Sequence, residues 1–314
     1  MIEATVCIPT HCHGPTLFYS VRSALAQSVS AIEVFIIGDG VNQETREIVR
    51  QLMAEDARVR FFDLPKGPRL GEAYRHSILQ NEARGAVIAY LCDDDLWLST
   101  HLETLIKQLQ EADFTHSLPL YIDAQGQVGL FPVDLSLAFF RDMLAAGTNR
   151  VPLSSAAHTR KAYLQLPHGW RTTPPSVPTD LYMWQQFLSH PELRFTSGTK
   201  PTAITFPSPQ RLTWPLDERV RELETWTAKL RDPQEEWAFL HQIIDDYATR
   251  YAELERECFQ CIERKIGDWV FRIPLMKTLR KWVAKVRSGR PSPRKNPHAH
   301  RVPKDQPTQR ANES

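Results

Sequence analysis

The amino-acid sequence predicts an α/β protein built on a doubly wound, mostly parallel, Rossmann-like sheet and followed by a helical extension. In the first half of the chain, short apolar runs of strand length alternate with amphipathic helical patterns. Polar residues come directly after these runs. The last third instead carries a charged, helical pattern. Together these three features indicate one large α/β domain with a helical appendage.

Four apolar runs are predicted to be strands, at residues 5–8, 33–37, 58–62 and 86–92. The helical patterns between and after them repeat apolar residues three or four positions apart, as in Leu17, Val21 and Leu25, in Ile48, Val49, Leu52 and Met53, and in Leu102, Leu105, Ile106 and Leu109. Ser99 is the predicted N-cap of the last of these helices.

The residues that follow the strands are expected to meet, because ligands of open α/β sheets bind beyond the carboxyl ends of the strands. They are Thr10, Asp39, Asp63 and the triplet Asp93, Asp94 and Asp95. The GxGxxG turn typical of dinucleotide-binding proteins is missing from the sequence. The pattern therefore favours another nucleotide-type crevice.

The acidic triplet is the most informative of these features. Adjacent carboxylates oppose each other's ionisation, and a divalent cation relieves that repulsion. Mg²⁺ and Mn²⁺ prefer carboxylate oxygens, so the triplet predicts a metal site. The alternative is a solvated acidic turn that caps the following helix.

Four segments resemble the motifs of family 2 glycosyltransferases of GT-A fold, in the family's order and spacing. They are Pro9-Thr10, residues 23–28 (SALAQS), residues 33–40 (EVFIIGDG) and residues 90–97 (YLCDDDLW). The resemblance covers roughly residues 1–200. It implies an inverting enzyme of hexosyltransferase type, with a nucleotide-diphosphate sugar as donor and Mn²⁺ or Mg²⁺ bridging the diphosphate.

The resemblance also assigns roles to individual residues. Pro9, Thr10 and His11 fall on the loop that lines the nucleoside pocket. Asp39 falls where the family binds the base, usually uracil, although an Asx turn with Gly40 would also explain it.

The same comparison extends to the phosphates and the metal. Asp93 falls on the position that contacts ribose or metal, Asp94 on the main metal ligand and Asp95 on the acidic residue after it. Arg75 resembles the basic residue of a helix that faces the diphosphate, although an exposed helical arginine is more often solvated. Lys66 lies in a Pro/Gly-rich loop and is a candidate to neutralise phosphate charge.

The chain also departs from the family pattern. Gly38 and Cys92 stand where aspartates are expected, and His11-Cys12 replaces a Tyr-Asn pair. These losses leave open a catalytically silent protein that keeps the fold and binds sugar nucleotides or glycans.

The resemblance also points to Asp180 as the general base, because the chain here resembles the family's acceptor-side segment, in which a G-x-W turn is followed by an acidic residue that opens a helix. An inverting transfer needs a carboxylate to take the proton of the acceptor hydroxyl. The alternative is that Thr179 or Asp180 only caps the helix. Trp170, Tyr182 and Trp184 are candidates for a sugar-binding platform or for the core.

Charge is distributed unevenly. Residues 264–314 carry a net charge of +11 against +1 for the whole chain, so residues 1–263 carry −10. Large apolar residues alternate with Lys and Arg in 264–287, which predicts an interfacial helix on an anionic membrane surface. A helix docked on the acidic body or on a second subunit is the alternative, and no nucleic-acid partner is expected.

The predicted organisation has three parts. Residues 1–210 form the GT-A domain, with a nucleotide-sugar half (1–115) and an acceptor half (116–210). A helical extension covers 211–287, and a disordered basic tail covers 288–314. Five cysteines without a framework spacing, no signal peptide and no apolar run long enough to span a bilayer predict a cytoplasmic protein, peripheral on the inner face of the membrane. The predicted acceptor is a glycan or a lipid-linked acceptor of surface polysaccharide synthesis.

Overall fold

The computed structural model describes the backbone of residues 1–272 and the side chains of residues 1–265. Its main sheet has six strands in the order β3-β2-β1-β4-β9-β6. The strands are β1 (Ala4–Thr10), β2 (Ile32–Asp39), β3 (Val59–Leu64), β4 (Val87–Tyr90), β6 (Phe114–His116) and β9 (Ala156–Thr159). Strands β1 to β4 are parallel, and β9 runs antiparallel to both β4 and β6. The predicted mostly parallel sheet is confirmed.

Helices cover both faces of this sheet. They are α1 (Gly14–Leu25), α2 (Gln43–Glu55), α3 (Glu72–Asn81), α4 (His101–Gln108), α5 (Ala138–Ala145), α6 (Arg160–Gln165) and α7 (Thr179–Leu188). Alternate residues of β2 belong to different cores: Val34 and Ile36 pack with α1, α2 and α4, whereas Phe35 and Ile37 pack with α3 and α7. This period of two explains why β2 is apolar without interruption from Val34 to Ile37, as a strand buried on both faces is expected to be.

A second, four-stranded sheet has the order β5-β10-β7-β8. Its strands are β5 (Leu96–Trp97), β7 (Leu120–Ile122), β8 (Val128–Leu130) and β10 (Ala203–Thr205). A third apolar cluster joins this sheet to α8 (Leu216–Leu230) and to the start of α9 (Pro233–Arg272). The body of the protein, Met1–Ile244, is one compact unit, and a second unit begins at Asp245 within α9.

The start of α4 differs from the prediction. Thr100, and not Ser99, is the N-cap residue, and its side chain makes no capping bond. The Gln27 side chain supplies the cap instead, because its Oε1 accepts from Leu102 N (2.9 Å) while its Nε2 donates to Leu98 O (2.8 Å). A distant glutamine is invisible to a rule that searches only the residues next to the helix.

Within the described part of the chain, no helix has the length and apolar character needed to cross a bilayer. The predicted disordered tail, 288–314, lies outside the described residues. So does most of the predicted interfacial segment, 264–287.

Candidate active site

A cavity of about 530 Å³ opens at the carboxyl ends of β1, β2 and β4. Its size falls within the usual range for small-molecule sites. It brings together eight residues singled out from the sequence: Pro9, Thr10, His11, Asp39, Arg75, Asp93, Asp94 and Asp180. His13, Leu70, Cys92, Leu153, Thr179, Ser208 and Pro209 complete the lining.

Asp39 ends β2 and is buried. Its Oδ1 accepts from Gly67 N (2.6 Å) and its Oδ2 from Lys66 Nζ (2.5 Å). The ring of His11 donates from Nδ1 to the Asp39 carbonyl oxygen (2.6 Å). The end of β2 is therefore held from both sides, by the loop after β1 and by the loop that contains Lys66.

Lys66 is absent from the cavity lining, because its ammonium group donates to Asp39, to Gly67 O (2.9 Å) and to Arg69 O (2.7 Å). Gly71 lets this loop close on Asp39. Its φ is +64°, and a Cβ there would lie 2.7 Å from Asp39 Cγ. Only glycine meets both conditions without strain.

Asp93, in the turn after β4, contacts both the last residue of β1 and the loop that follows it. Its Oδ2 accepts from Thr10 Oγ1 (2.7 Å), and its Oδ1 lies 3.3 Å from His13 Nδ1. The hydrogen bond to Asp93 raises the pKa of His13 despite partial burial, which lowers it. The loop after β1 therefore places an imidazole beside the acidic triplet, where its protonation is favoured.

Asp94 forms an ion pair with Arg219 of α8. Arg219 Nη2 and Ser208 Oγ (3.2 Å) both donate to Asp94 Oδ2, and no described residue donates to Oδ1. Burial, followed by repulsion from Asp93, raises the pKa of Asp94, whereas Arg219 lowers it. A cation already compensates this carboxylate.

Asp95 has a different environment from its neighbours. Its Oδ2 accepts from Ser154 Oγ (2.5 Å) and its Oδ1 from Phe206 N (2.8 Å). Ligand atoms of Cys92, Asp94 and Asp95 lie within 4.8 Å of one another, close enough to share a metal. Burial raises the pKa of Cys92 well above its usual range, however, and a protonated thiol is a poor ligand for a hard cation.

Arg75 lies in α3 and is buried rather than solvated. Its guanidinium stacks on Trp170, with Cζ 4.9 Å from the ring centroid, and its Nη2 donates to Leu70 O (2.9 Å). Its Nε is buried without a partner among the described residues. Trp170 and Trp184 are 2% and 1% exposed, so the alternative of core residues is correct for both.

Asp180 lies in the first turn of α7 and is half-buried. Its Oδ1 accepts from Leu181 N (2.8 Å) and its Oδ2 from Asn149 Nδ2 (2.9 Å). Burial raises the pKa of this carboxyl above its ordinary value, although both hydrogen bonds lower it. The raised pKa moves the carboxylate toward the proton affinity that general bases need.

Some site residues were not predicted, and three predicted residues, Asp63, Lys66 and Asp95, are absent from the cavity lining. Asp63 is exposed on β3 and pairs with Arg46 of α2 (2.8 Å), outside the cavity. Arg219 and Ser208 reach Asp94 from more than 110 positions along the chain. No local signal marks them, since only the packing of α8 and of the turn after β10 brings them there.

Comparison with known proteins agrees with this geometry. Residues 5–159 match the sequence model of glycosyl transferase family 2. Glycosyltransferase GlyG of Streptococcus pneumoniae is 30% identical over 109 residues, which cover 35% of this chain and 36% of that protein. A GalNAc(5)-diNAcBac-PP-undecaprenol beta-1,3-glucosyltransferase of Campylobacter jejuni is 26% identical over 111 residues, again 35% of this chain and 36% of that protein. The aligned segments thus span about a third of each relative.

Among solved structures, residues 1–349 of S. aureus TarS superpose with a TM-score of 0.50 at 14% identity. The superposition covers 73% of this chain and 65% of that one. At this identity the likeness concerns the fold, which is of GT-A type. With the acidic strand ends gathered at one cavity and the match over residues 5–159, this chain belongs to glycosyltransferase family 2.

Proposed function

We propose that the protein is a metal-dependent, inverting glycosyltransferase. It transfers a sugar from a nucleotide-diphosphate sugar, of UDP type, to a glycan or lipid-linked acceptor in surface polysaccharide synthesis. One observation carries the proposal: Asp39, Asp94, Arg75 and Asp180 line a single cavity at the carboxyl ends of the central strands. These four residues provide the groups that such a transfer requires.

The donor occupies the side of the cavity formed by the loops after β1 and β2. Asp39, with Pro9, Thr10 and His11, binds the nucleoside, and Asp93 binds the ribose. Arg75 binds the diphosphate, an assignment that its unpartnered Nε supports. Lys66 reaches a phosphate only by releasing Asp39, so its main role is to hold Asp39 in place.

The chemistry is a single displacement. Asp180 takes the proton of the acceptor hydroxyl while that oxygen attacks the anomeric carbon, and the bond from that carbon to the diphosphate breaks on the opposite face. Its neighbour Asn149 holds Oδ2 in position (2.9 Å). Removal of Asn149 should therefore disturb the orientation of the base and raise its pKa further.

The acidic residues fit a divalent cation, because carboxylate oxygens are its preferred ligands. Asp94 is the main ligand, since its Oδ1 accepts no bond from the described residues; the guanidinium on Oδ2 competes with the metal for the charge of this carboxylate. Asp95 contributes only by giving up a bond to Ser154 or Phe206. A bound Mn²⁺ or Mg²⁺ supplies positive charge for the leaving diphosphate.

The pairing of Asp94 with Arg219 favours one alternative, a protein that binds nucleotide sugars without turnover. A thermal-shift screen of UDP-, GDP-, CMP- and dTDP-sugars, with and without Mn²⁺, tests the donor and the metal. We expect the largest shift with a UDP-sugar in Mn²⁺, and its loss in Asp94→Asn. Equal UDP affinity with and without metal in both proteins would rule out metal dependence. If the protein binds the UDP-sugar but forms no free UDP from it over hours, the non-catalytic alternative is favoured.

A further inference from the structure

An apolar stripe runs along the part of α9 that belongs to the second unit. Tyr247, Tyr251 and Leu254 are 37%, 58% and 64% exposed, and Cys258 and Cys261 are exposed as well. Large apolar side chains placed singly on a surface are common, but a continuous row on one helix indicates an interaction surface.

The spacing of this stripe is that of a coiled coil. Tyr247, Tyr251, Leu254, Cys258 and Cys261 are separated alternately by four and three positions, which is the a/d pattern of a heptad repeat. The same spacing continues at Trp237, Leu240 and Ile244, although Leu240 packs against the third apolar cluster of the body. The exposed seam therefore covers the two heptads from Tyr247 to Cys261, with the a/d spacing of a two-stranded coil.

The charges beside the stripe are complementary to those of an identical helix. Taking Tyr251 as position a places Arg250 at g and Glu255 at the following e. In a parallel coiled coil, the g residue of one strand faces the next e residue of the other. Arg250 would therefore meet Glu255 of the second copy, and symmetry would produce the pair twice.

We propose that α9 forms a parallel, two-stranded coiled coil with a second copy of this chain through the Tyr247–Cys261 face. Residues 245–265 contain six acidic and four basic side chains, a net charge of −2. An anionic lipid surface would repel such a helix, whereas an identical helix matches it in both apolar spacing and flanking charge. This dimerisation is independent of the proposed enzymatic activity.

Light scattering during size-exclusion chromatography of the full chain, over a range of concentrations, tests the dimer. We expect Leu254→Asp to produce a monomer with an unchanged helical circular dichroism signal, because Leu254 is exposed in the single chain. Thr249→Asp, on the opposite face of the helix, is the matched control and should remain dimeric. A monomeric parent protein at all concentrations, or a dimer unaffected by Leu254→Asp, would overturn the proposal.

Charge reversal tests the pairing between copies. Arg250→Glu and Glu255→Arg should each weaken the dimer by about fivefold, as expected for two surface ion pairs of about 0.5 kcal/mol each. The double variant should restore it. Failure of the double variant to recover would overturn the parallel register.

Disulfide formation gives a second measure of register. In a parallel coil, Cys258 faces its own counterpart, so an added copper-phenanthroline oxidant should join the two thiols into a reducible covalent dimer in a Cys261→Ser background. Cys258→Ser in that background should abolish the product. A dimer that is sensitive to Leu254→Asp but forms no such product would overturn the parallel arrangement.

Discussion

The guanidinium of Arg219 pairs with the carboxylate of Asp94, the residue proposed as the main metal ligand. Arg219 also approaches His13 Nε2 (3.5 Å), and its own Nε is buried without a partner among the described residues. Arg219 lies outside the segment that matches the family model. Helix α8 therefore adds an internal cation to a site whose other residues come mainly from the first half of the chain.

Replacing Arg219 by Gln should strengthen Mn²⁺ binding by about tenfold, because metal and guanidinium compete for one carboxylate and about 1.4 kcal/mol of competition is removed. Calorimetric titration with Mn²⁺ measures this change without turnover. Arg221→Gln, which removes an exposed arginine from the same helix, is the control. An unchanged or weaker Mn²⁺ affinity in Arg219→Gln would contradict the competition.

Asp180→Asn should lower kcat by at least about a hundredfold, since positioned acid–base groups contribute roughly 10²–10⁴-fold. Donor affinity should change by less than about threefold. Because burial raises the pKa of Asp180, turnover of the parent protein should fall as the pH drops through that raised pKa. Near-normal turnover would show that Asp180 only supports α7, and a product of retained anomeric configuration would exclude the mechanism.

Gly71→Ala should weaken UDP binding, because the added methyl group meets the Asp39 carboxylate. Gly126→Ala is a matched control: its φ is also positive, at +77°, but no atom lies within 4 Å of the place that the new methyl group would take. Both variants should lose about 1–2 kcal/mol of unfolding free energy from left-handed strain. Only Gly71→Ala should lose nucleotide affinity, and equal affinity in the two variants would contradict a role for this loop.

Removing residues 264–314 should release the protein from anionic liposomes, since each Lys or Arg near the surface contributes about 1 kcal/mol of attraction. Donor hydrolysis should be unchanged, because the proposed catalytic residues all precede the cut. Sedimentation with vesicles of anionic lipid, and of neutral lipid as control, measures the binding. Sedimentation that is independent of the truncation would place the membrane contact elsewhere.

His101 should make the protein less stable in acid. It is buried against Thr202, and burial lowers its pKa from 6.5 to about 3. Below pH 6.5 this histidine therefore binds a proton in the unfolded chain but not in the folded protein. The free energy of unfolding keeps its full value above pH 6.5 and decreases as the pH falls. From pH 7 to pH 5 the loss amounts to about 2 kcal/mol.

His101→Gln lacks this titration, so the stability gap between it and the parent protein should narrow by that amount at pH 5. Urea denaturation at both pH values measures the gap. His168→Gln, which replaces an exposed histidine in the same way, is the control. A gap that stays constant with pH would mean that His101 is protonated in the folded protein.

The sequence predicted the parts of the site that depend on local pattern. Asp39, Asp93 and Asp94 follow apolar runs, and parallel strands bring such ends to one edge. Asp180, far along the chain, was predicted by resemblance and lines the same cavity.

The sequence did not predict which basic side chains pair with those carboxylates. Lys66 forms an ion pair with Asp39, and Arg219 pairs with Asp94 from helix α8, which the family motifs do not cover. Such partners depend on tertiary packing, which side-chain periodicity does not encode. The cap of α4 was mispredicted for the same reason, because Gln27 reaches it from the turn after α1.

The bonds of Asp95 have a practical consequence for engineering. Its carboxylate accepts hydrogen bonds from Ser154 Oγ and from the backbone N–H of Phe206. The conformation of the acidic turn therefore depends on two other segments that lie far along the chain. A graft limited to the family segment, residues 5–159, would leave one oxygen of a buried carboxylate without its donor. Chimeras that exchange donor specificity should therefore take their junction after β10, and a junction after α8 would also carry the arginine that matches Asp94.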